Sequence, residues 1–500
     1  MAPSDNTKHD RLEKIRIGLI NHSNLQIECE RSIAYELIDY FSFFVPGYKY
    51  MPAYKNRVWD GKIKLFNQNG QLPVGLYQHL LHFCKTNNYE TELMESKYGY
   101  PDTSQDINIE QLYEFVKSLN LPWEVRDYQF NAVVSGLKRK RAILLSPTGS
   151  GKSLVIYILA RYFLEELNDR KILIIVPTTS LVEQMFNDFK NYGYDEQSMH
   201  RIYSGRDKNV DCSVIISTWQ SIYKLPKEWF DQFGMVIGDE CHGFKSKSLM
   251  TVMNKCTEAA YRFGTTGTLD GALTHELVLQ GLFGRIMHVT TTKTLQENET
   301  LAQLDIKRLT LTYDETTRKY FGKRKYQDEI DYIVTNEKRN KFITNLALDQ
   351  KGNTLVLFQF VEKHGEPLYR MIQNKASEKR KVFFVSGQVD TSDRESIRHI
   401  TEKQKDAIIV ASLGTFSTGI NIRNLHNIIF ASPSKSQIRV LQSIGRGLRP
   451  SDNGEPTKLY DLIDDISWLS QKNFAFLHGL ERLKIYKREK FNHKTFKVDI

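Results

Sequence analysis

Along much of this chain the apolar residues come in short, almost unbroken runs. AILLS (Ala142–Ser146), KILIIVP (Lys171–Pro177), CSVIIST (Cys212–Thr218) and GMVIGDE (Gly234–Glu240) are each followed by a turn, and most then by a helical pattern. A strand covered on both faces reads this way because neither face meets water, so the runs predict a parallel, doubly wound sheet. The pattern starts afresh after about residue 303 with NTLVLFQF, KVFFVSG, DAIIVAS and HNIIFAS, which predicts a second α/β domain in tandem.

The ends of the chain have a different texture. LQIECE and YETELM read as strands and RSIAYELIDYF and LYQHLLHFC as helices, predicting a small α/β unit over about residues 14–94. Within it KIKLFNQ alternates polar and apolar residues between the turn signals Asp60-Gly61 and Asn69-Gly70, which predicts a hairpin. The polar, turn-rich stretch Glu95–Asn108 reads as a linker. Near the C-terminus Leu477, Leu480 and Leu483 recur every three residues beside Arg482, Lys484, Lys487, Arg488 and Lys490, predicting a basic amphipathic helix packed on the second domain.

Composition narrows the function classes. A chain of 500 residues, 40% hydrophobic and 26% charged, has material for several cores. No apolar run approaches the roughly 18 residues needed to span a bilayer, and the polar first residues lack a secretion signal, so the expected compartment is the cytoplasm. Five cysteines without C-x-x-C spacing read as reduced thiols, and His79 and His82 as positions on an ordinary amphipathic helix. The net charge of +10 suits a polyanionic partner only slightly.

The candidate chemistry starts at SPTGSGKS (Ser146–Ser153), between a strand-like and a helix-like segment. Glycines let backbone N–H groups turn toward phosphate oxygens, and the helix N-terminus favours the anion, so Thr148, Gly149, Ser150, Gly151, Lys152 and Ser153 form a candidate cradle. Lys152 would reach the β- and γ-phosphates of ATP and Ser153 would ligate Mg²⁺. Ser146 replaces the first glycine of the usual pattern. Asp239 and Glu240 follow an apolar strand, where a carboxylate can face that loop: Asp239 would hold the Mg²⁺ and Glu240 would orient and deprotonate the attacking water. QSIGRGLRP holds Arg446 and Arg449 with no acidic neighbour, which suits an arginine finger worth about 10³ to 10⁵ in rate, supplied from the second domain.

These residues resemble a superfamily 2 DExH helicase over about residues 120–465. WEVRDYQFNAV, VPTTSLVEQ, YSG, STWQS, DECH with GTTGTL, LFQF, ASLGTFSTGINI and QSIGRGLRP stand in the order of that superfamily's motifs. The resemblance implies two RecA-like domains, adenine recognition by Gln129, and a place near the nucleotide for Gly419. It implies γ-phosphate contacts for Gln442, Arg446 and Arg449, and backbone contacts to nucleic acid for Thr178, Ser204, Thr218, Ser412 and Thr415. His242, Thr265 and Thr268 fall in the segments that couple hydrolysis to movement. Outside the motor, YKNRVWDGKIKLF, KYQDEIDYIVTNEKRNKFITNLAL, VSGQVDTSDRE and YDLIDD are similar to the UvsW-type branch-migration helicases of tailed phages. That family implies ATP-dependent remodelling of branched, forked or partly single-stranded DNA, independent of sequence. The expected division is then 1–95 accessory domain binding duplex or branched DNA, 96–120 linker and lead-in helix, 121–300 and 301–465 RecA-like domains, and 466–500 helical tail.

The accessory unit supplies its own candidates. Lys49, Lys55, Arg57, Lys62 and Lys64 interleave with Tyr48, Tyr50, Tyr54, Trp59 and Phe66, either a nucleic-acid surface or a hairpin with core aromatics and solvated lysines. A second cluster, RKYFGKRKYQ, has the same two readings. An RNA helicase, or an ATP-gated clamp without turnover, is the alternative at the level of the whole protein.

Overall fold

The computed structural model describes residues 14–101, 106–147, 149–167, 170–203, 205–208, 211–267, 269, 273–291, 294, 304–321, 325–385, 403–413, 424–432, 455–488 and 491–500. The chain forms two compact units, one of Met1–Leu145 with Gly151–Val289 and the other of Thr290–Ile500 with the short segment Ser146–Ser150.

The first unit begins with six strands, β1 (Lys14–Leu19), β2 (Asn24–Glu28), β3 (Ser42–Phe44), β4 (Lys62–Lys64), β5 (Gln71–Pro73) and β6 (Glu90–Leu93). Four form a sheet in the order β5-β2-β1-β6, and β3 pairs with β4 alone. Alternation in β1 and β2 buries Ile15, Ile17, Leu25 and Ile27 against Ile33 and Leu37 of helix Arg31–Tyr40 and Leu80 of helix Tyr77–Thr86. The expected hairpin around KIKLFNQ takes another form: Lys62–Lys64 pairs back to Ser42–Phe44, and Gln71–Pro73 pairs with β2. Phe66 is core, and the Asn67 side chain accepts from the Asn69 and Gln71 N–H groups, so the chain turns out of one sheet and into the next.

This small domain is docked on the first large sheet. A Cβ on Gly75 would come 1.8 Å from the Gln280 carbonyl oxygen of helix Leu273–Phe283, so backbone meets backbone there and only glycine fits. Leu277 of the same helix completes the small domain's core. His22 N–H donates to the Thr257 carbonyl at 3.0 Å, and the buried Arg262 guanidinium donates to Ser23 Oγ at 2.7 Å and to the Met253 and Ala259 carbonyls, both at 3.1 Å. His79, with a ring nitrogen 3.0 Å from Gln280 Oε1, belongs to this interface.

The large sheet holds β7 (Arg141–Leu145), β8 (Lys171–Val176), β9 (Met199–Ile202), β10 (Val214–Thr218), β11 (Phe233–Asp239), β12 (Tyr261–Thr266) and β13 (Ile286–His288) in the order β13-β7-β12-β11-β8-β10-β9. Every pairing is parallel. Helices cover both faces, which is why β8, β10 and β11 are buried along nearly their whole length.

The second unit repeats the plan with β14 (Leu304–Thr312), β15 (Thr354–Phe358), β16 (Val382–Val385), β17 (Ile408–Ser412), β18 (Asn427–Phe430), β19 (Thr457–Asp465) and β20 (Asn492–Asp499), all parallel, in the order β16-β17-β15-β18-β19-β14-β20. The expected helix is present as Phe474–Arg488, but it buries a different face. Ala475, Arg482 and Tyr486 are inside while Leu477 is 42% exposed. The cause is Asp461: buried in β19, it takes the Arg482 guanidinium at 2.7 Å, and that ion pair sets the rotation of the helix. The chain then returns as β20, an edge strand beside β14, which a wholly helical tail did not anticipate.

Candidate nucleotide site and nucleic-acid surfaces

Two strand ends and the start of one helix build the site. The loop after β7 leads into helix Lys152–Tyr162 through Gly149 and Gly151, with φ of 88° and 78°, left-handed conformations that glycine adopts without strain. A Cβ on Gly151 would lie 2.3 Å from Gln129 Nε2. Gln129, buried in helix Asp127–Arg139, accepts the Arg126 N–H at 3.0 Å through Oε1, so one amide caps its own helix and abuts the loop. Lys152 stands at the first helical position, and Ser153 Oγ lies 2.9 Å from the Tyr192 hydroxyl.

Asp239 ends β11 and Thr265 ends the neighbouring register of β12, so the Thr265 hydroxyl donates to Asp239 Oδ1 at 2.6 Å. Burial pushes the Asp239 carboxyl above its usual range, the Glu240 charge adds to that, and the Lys152 ammonium and Thr265 hydroxyl pull the other way. Glu240 sits in a left-handed conformation (φ 50°, ψ 47°) without being glycine, a strain that turns the chain sharply after the strand. His242 Nδ1 is 3.0 Å from Thr266 Oγ1 and 3.3 Å from Glu240 Oε2. The DECH segment is thereby tied twice to the end of β12. Motif order alone pointed to Thr265 and His242 but not to Thr266, whose pairing depends on the parallel register. The Asp239 carboxylate, a hard oxygen donor beside the Glu240 charge, fits a magnesium ion. Ser153 fits as a ligand after its hydroxyl turns from Tyr192.

The expected nucleic-acid contacts divide. Thr178 caps helix Thr179–Asn191, its Oγ1 accepting the Leu181 N–H at 3.4 Å. Thr218 Oγ1 lies 2.9 Å from Ser221 Oγ, and Ser412 ends β17; both side chains are largely buried. Thr148, Ser204, Thr268, Thr415, Gly419, Gln442, Arg446 and Arg449 lie outside the described residues.

In the small domain Lys49, Tyr54, Lys55, Arg57, Trp59 and Asp60 line a shallow concavity. Tyr50 is 82% exposed, Tyr48 stacks on Phe44 with centroids 4.6 Å apart, and Lys49 lies over Tyr48 at 5.9 Å. Lys62 is placed over Phe44 at 5.1 Å and 3.5 Å from Asp39, while Lys64 pairs with Asp60 at 2.8 Å. Of the five aromatic residues Phe66 is core, Tyr48, Tyr54 and Trp59 are half-buried and Tyr50 is exposed.

Residues 14–93 match the family "DNA helicase UvsW, N-terminal", residues 108–271 "Type III restriction enzyme, res subunit", and residues 337–451 "Helicase conserved C-terminal domain". The ATP-dependent DNA helicase uvsW of Enterobacteria phage T4 is 38% identical, covering 97% of this chain and 100% of that protein. This chain belongs to the UvsW helicase family. The crystal structure of T4 UvsW aligns over 97% of the chain and 99% of its own length at 34% identity, with a TM-score of 0.50. A DNA 3'-5' translocase, XPB2 of Sulfurisphaera tokodaii, is 27% identical over 66% of the chain and 79% of its own length. Among the described residues of this UvsW-family protein no helix is long and apolar enough to cross a membrane.

Proposed function

We propose that this chain is an ATP-dependent DNA helicase and translocase that remodels branched DNA, by branch migration and by processing forks and displacement loops, in recombination and repair. Similarity to a phage DNA helicase over the whole length, N-terminal domain included, carries the reading. Lys152 would bind the β- and γ-phosphates, and Ser153 and Asp239 would hold Mg²⁺, which supplies neutralisation of the phosphate charge. Glu240 would accept a proton from the attacking water. Gln442, Arg446 and Arg449 complete the assignment at the γ-phosphate. Gln129 reads the adenine.

Hydrogen bonds from Thr265 to Asp239 and between Thr266 and His242 tie the acidic segment to the strand that leads into the coupling loop, a short non-covalent route from hydrolysis to backbone movement. Lys49, Lys55, Arg57 and Trp59 of the concavity, with Lys62 beside Phe44, hold duplex DNA through phosphate and ring contacts that do not read sequence. The deciding experiment offers a synthetic four-way junction with ATP and scores resolved arms, with K152A as control; ATPase stimulated by RNA alone and not by branched DNA would overturn the reading.

A further inference from the structure

The hydroxyl that the site reading assigns to the metal is already engaged. Ser153 Oγ lies 2.9 Å from the Tyr192 hydroxyl, and Tyr192 follows the helix that Thr178 caps, Thr179–Asn191. The phenol is firmly placed. Its ring packs with Tyr157 at 5.2 Å and with Trp123 at 5.8 Å, and its own carbonyl accepts the Tyr157 hydroxyl at 3.1 Å.

We propose that Tyr192 is a positioning residue whose hydrogen bond turns the Ser153 hydroxyl toward the phenol, so that ligation of Mg²⁺ by this hydroxyl competes with that bond. The inference rests on the nucleotide-site reading above. A serine hydroxyl has one proton and two lone pairs, and one rotation about χ1 decides whether it faces the phenol or another partner. The exchange makes metal-dependent affinity weaker than the donor set alone would give. Because Tyr192 and Thr178 bound the same helix, it also lies on a direct path from a strand-contact candidate to the metal ligand.

The test measures ADP binding by calorimetry, with Mg²⁺ and with EDTA, in wild type, Y192F, S153A and the double variant. Phenylalanine keeps the ring packing and removes only the hydroxyl. Y192F is expected to tighten Mg·ADP binding about two- to ten-fold, the span of one net hydrogen bond, and to leave ADP binding in EDTA unchanged. In the S153A background the same substitution should have no effect. Equal Mg·ADP affinity in wild type and Y192F, a gain that persists in EDTA, or a gain that persists without Ser153 would each overturn the proposal. A measurement on unmodified protein stands beside these: with ¹³Cζ-labelled tyrosine, the Tyr192 resonance should move on adding Mg·ADP and stay in place with ADP and EDTA, and the converse rejects the exchange. Wild-type protein that binds no ADP, or K152A that binds it as well as wild type, defeats the site reading itself, separately from the behaviour of Tyr192.

Discussion

At the scale of single residues, Asp239 shows how a functional group is held against its own preference. Burial and the adjacent Glu240 charge favour its protonated form, and the Thr265 hydroxyl at 2.6 Å is one of the few contacts that favours the carboxylate. A hydrogen bond to a charged group is worth about 1.5–3 kcal/mol, so T265V should lower DNA-stimulated ATP turnover about ten-fold or more while nucleotide still binds, as steady-state ATPase and ADP titration would show. E240Q keeps the side chain's shape and removes the proposed base: turnover should fall about 10²- to 10⁴-fold with ATP binding retained, and turnover like the wild type's would reject the assignment. The sequence made Asp239 and Glu240 legible because two acids at the end of an apolar run are a local pattern. Tyr192 was not legible, since its relation to Ser153 depends on how two helices pack.

Among secondary-structure elements, the docking of the small domain and the last helix carry the energetics. His22 lies in the docking interface, its imidazole edge-on to Tyr98 at 5.1 Å, and burial together with Arg141, Arg262, Lys140 and Arg170 holds its pKa down to about 3. The unfolded chain takes up this proton near pH 6.5 and the folded chain does not. Its stabilising contribution is therefore complete above about pH 6.5 and is lost as pH falls toward 3, by up to about 1.4 kcal/mol per pH unit. Urea midpoints measured between pH 7 and 5 should fall less steeply in H22F, which keeps a ring against Tyr98. In the second unit, a Cβ on Gly479 would lie 2.7 Å from Ile463 Cγ2, so helix Phe474–Arg488 rests against β19 at glycine distance. G479A should cost about 1–3 kcal/mol in chemical denaturation. The leucine spacing in that helix was visible in the sequence, yet buried Asp461 decided which face turned inward. Asp464 acts likewise on Arg339, at 2.6 Å with both side chains fully buried, and so YDLIDD is a pair of buried ion-pair anchors in a strand.

For the molecule as a whole, the small domain and the first large sheet are one body, joined through Gly75, His22, Ser23 and Arg262. A methyl group at residue 75 would meet the Gln280 carbonyl, which cannot swing aside as a flexible side-chain end can. G75A should therefore loosen this joint, leaving ATPase on single-stranded DNA largely intact while lowering four-way-junction processing several-fold, with limited proteolysis releasing the small domain early. What the sequence by itself determined was the succession of elements: continuous apolar runs for strands buried on both faces, the glycine-rich loop, the acids at a strand end, and the order of motifs that marks the motor. These are local because backbone geometry and strand burial act over a few residues. The tertiary structure alone decided which hydroxyl meets which carboxylate, which face of the final helix is buried, that the chain ends as an edge strand, and that a glycine far from the loop fixes the accessory domain in place. Such relations depend on close packing between segments distant in the chain, where a shift of one ångström changes the partner and no spacing in the sequence records it.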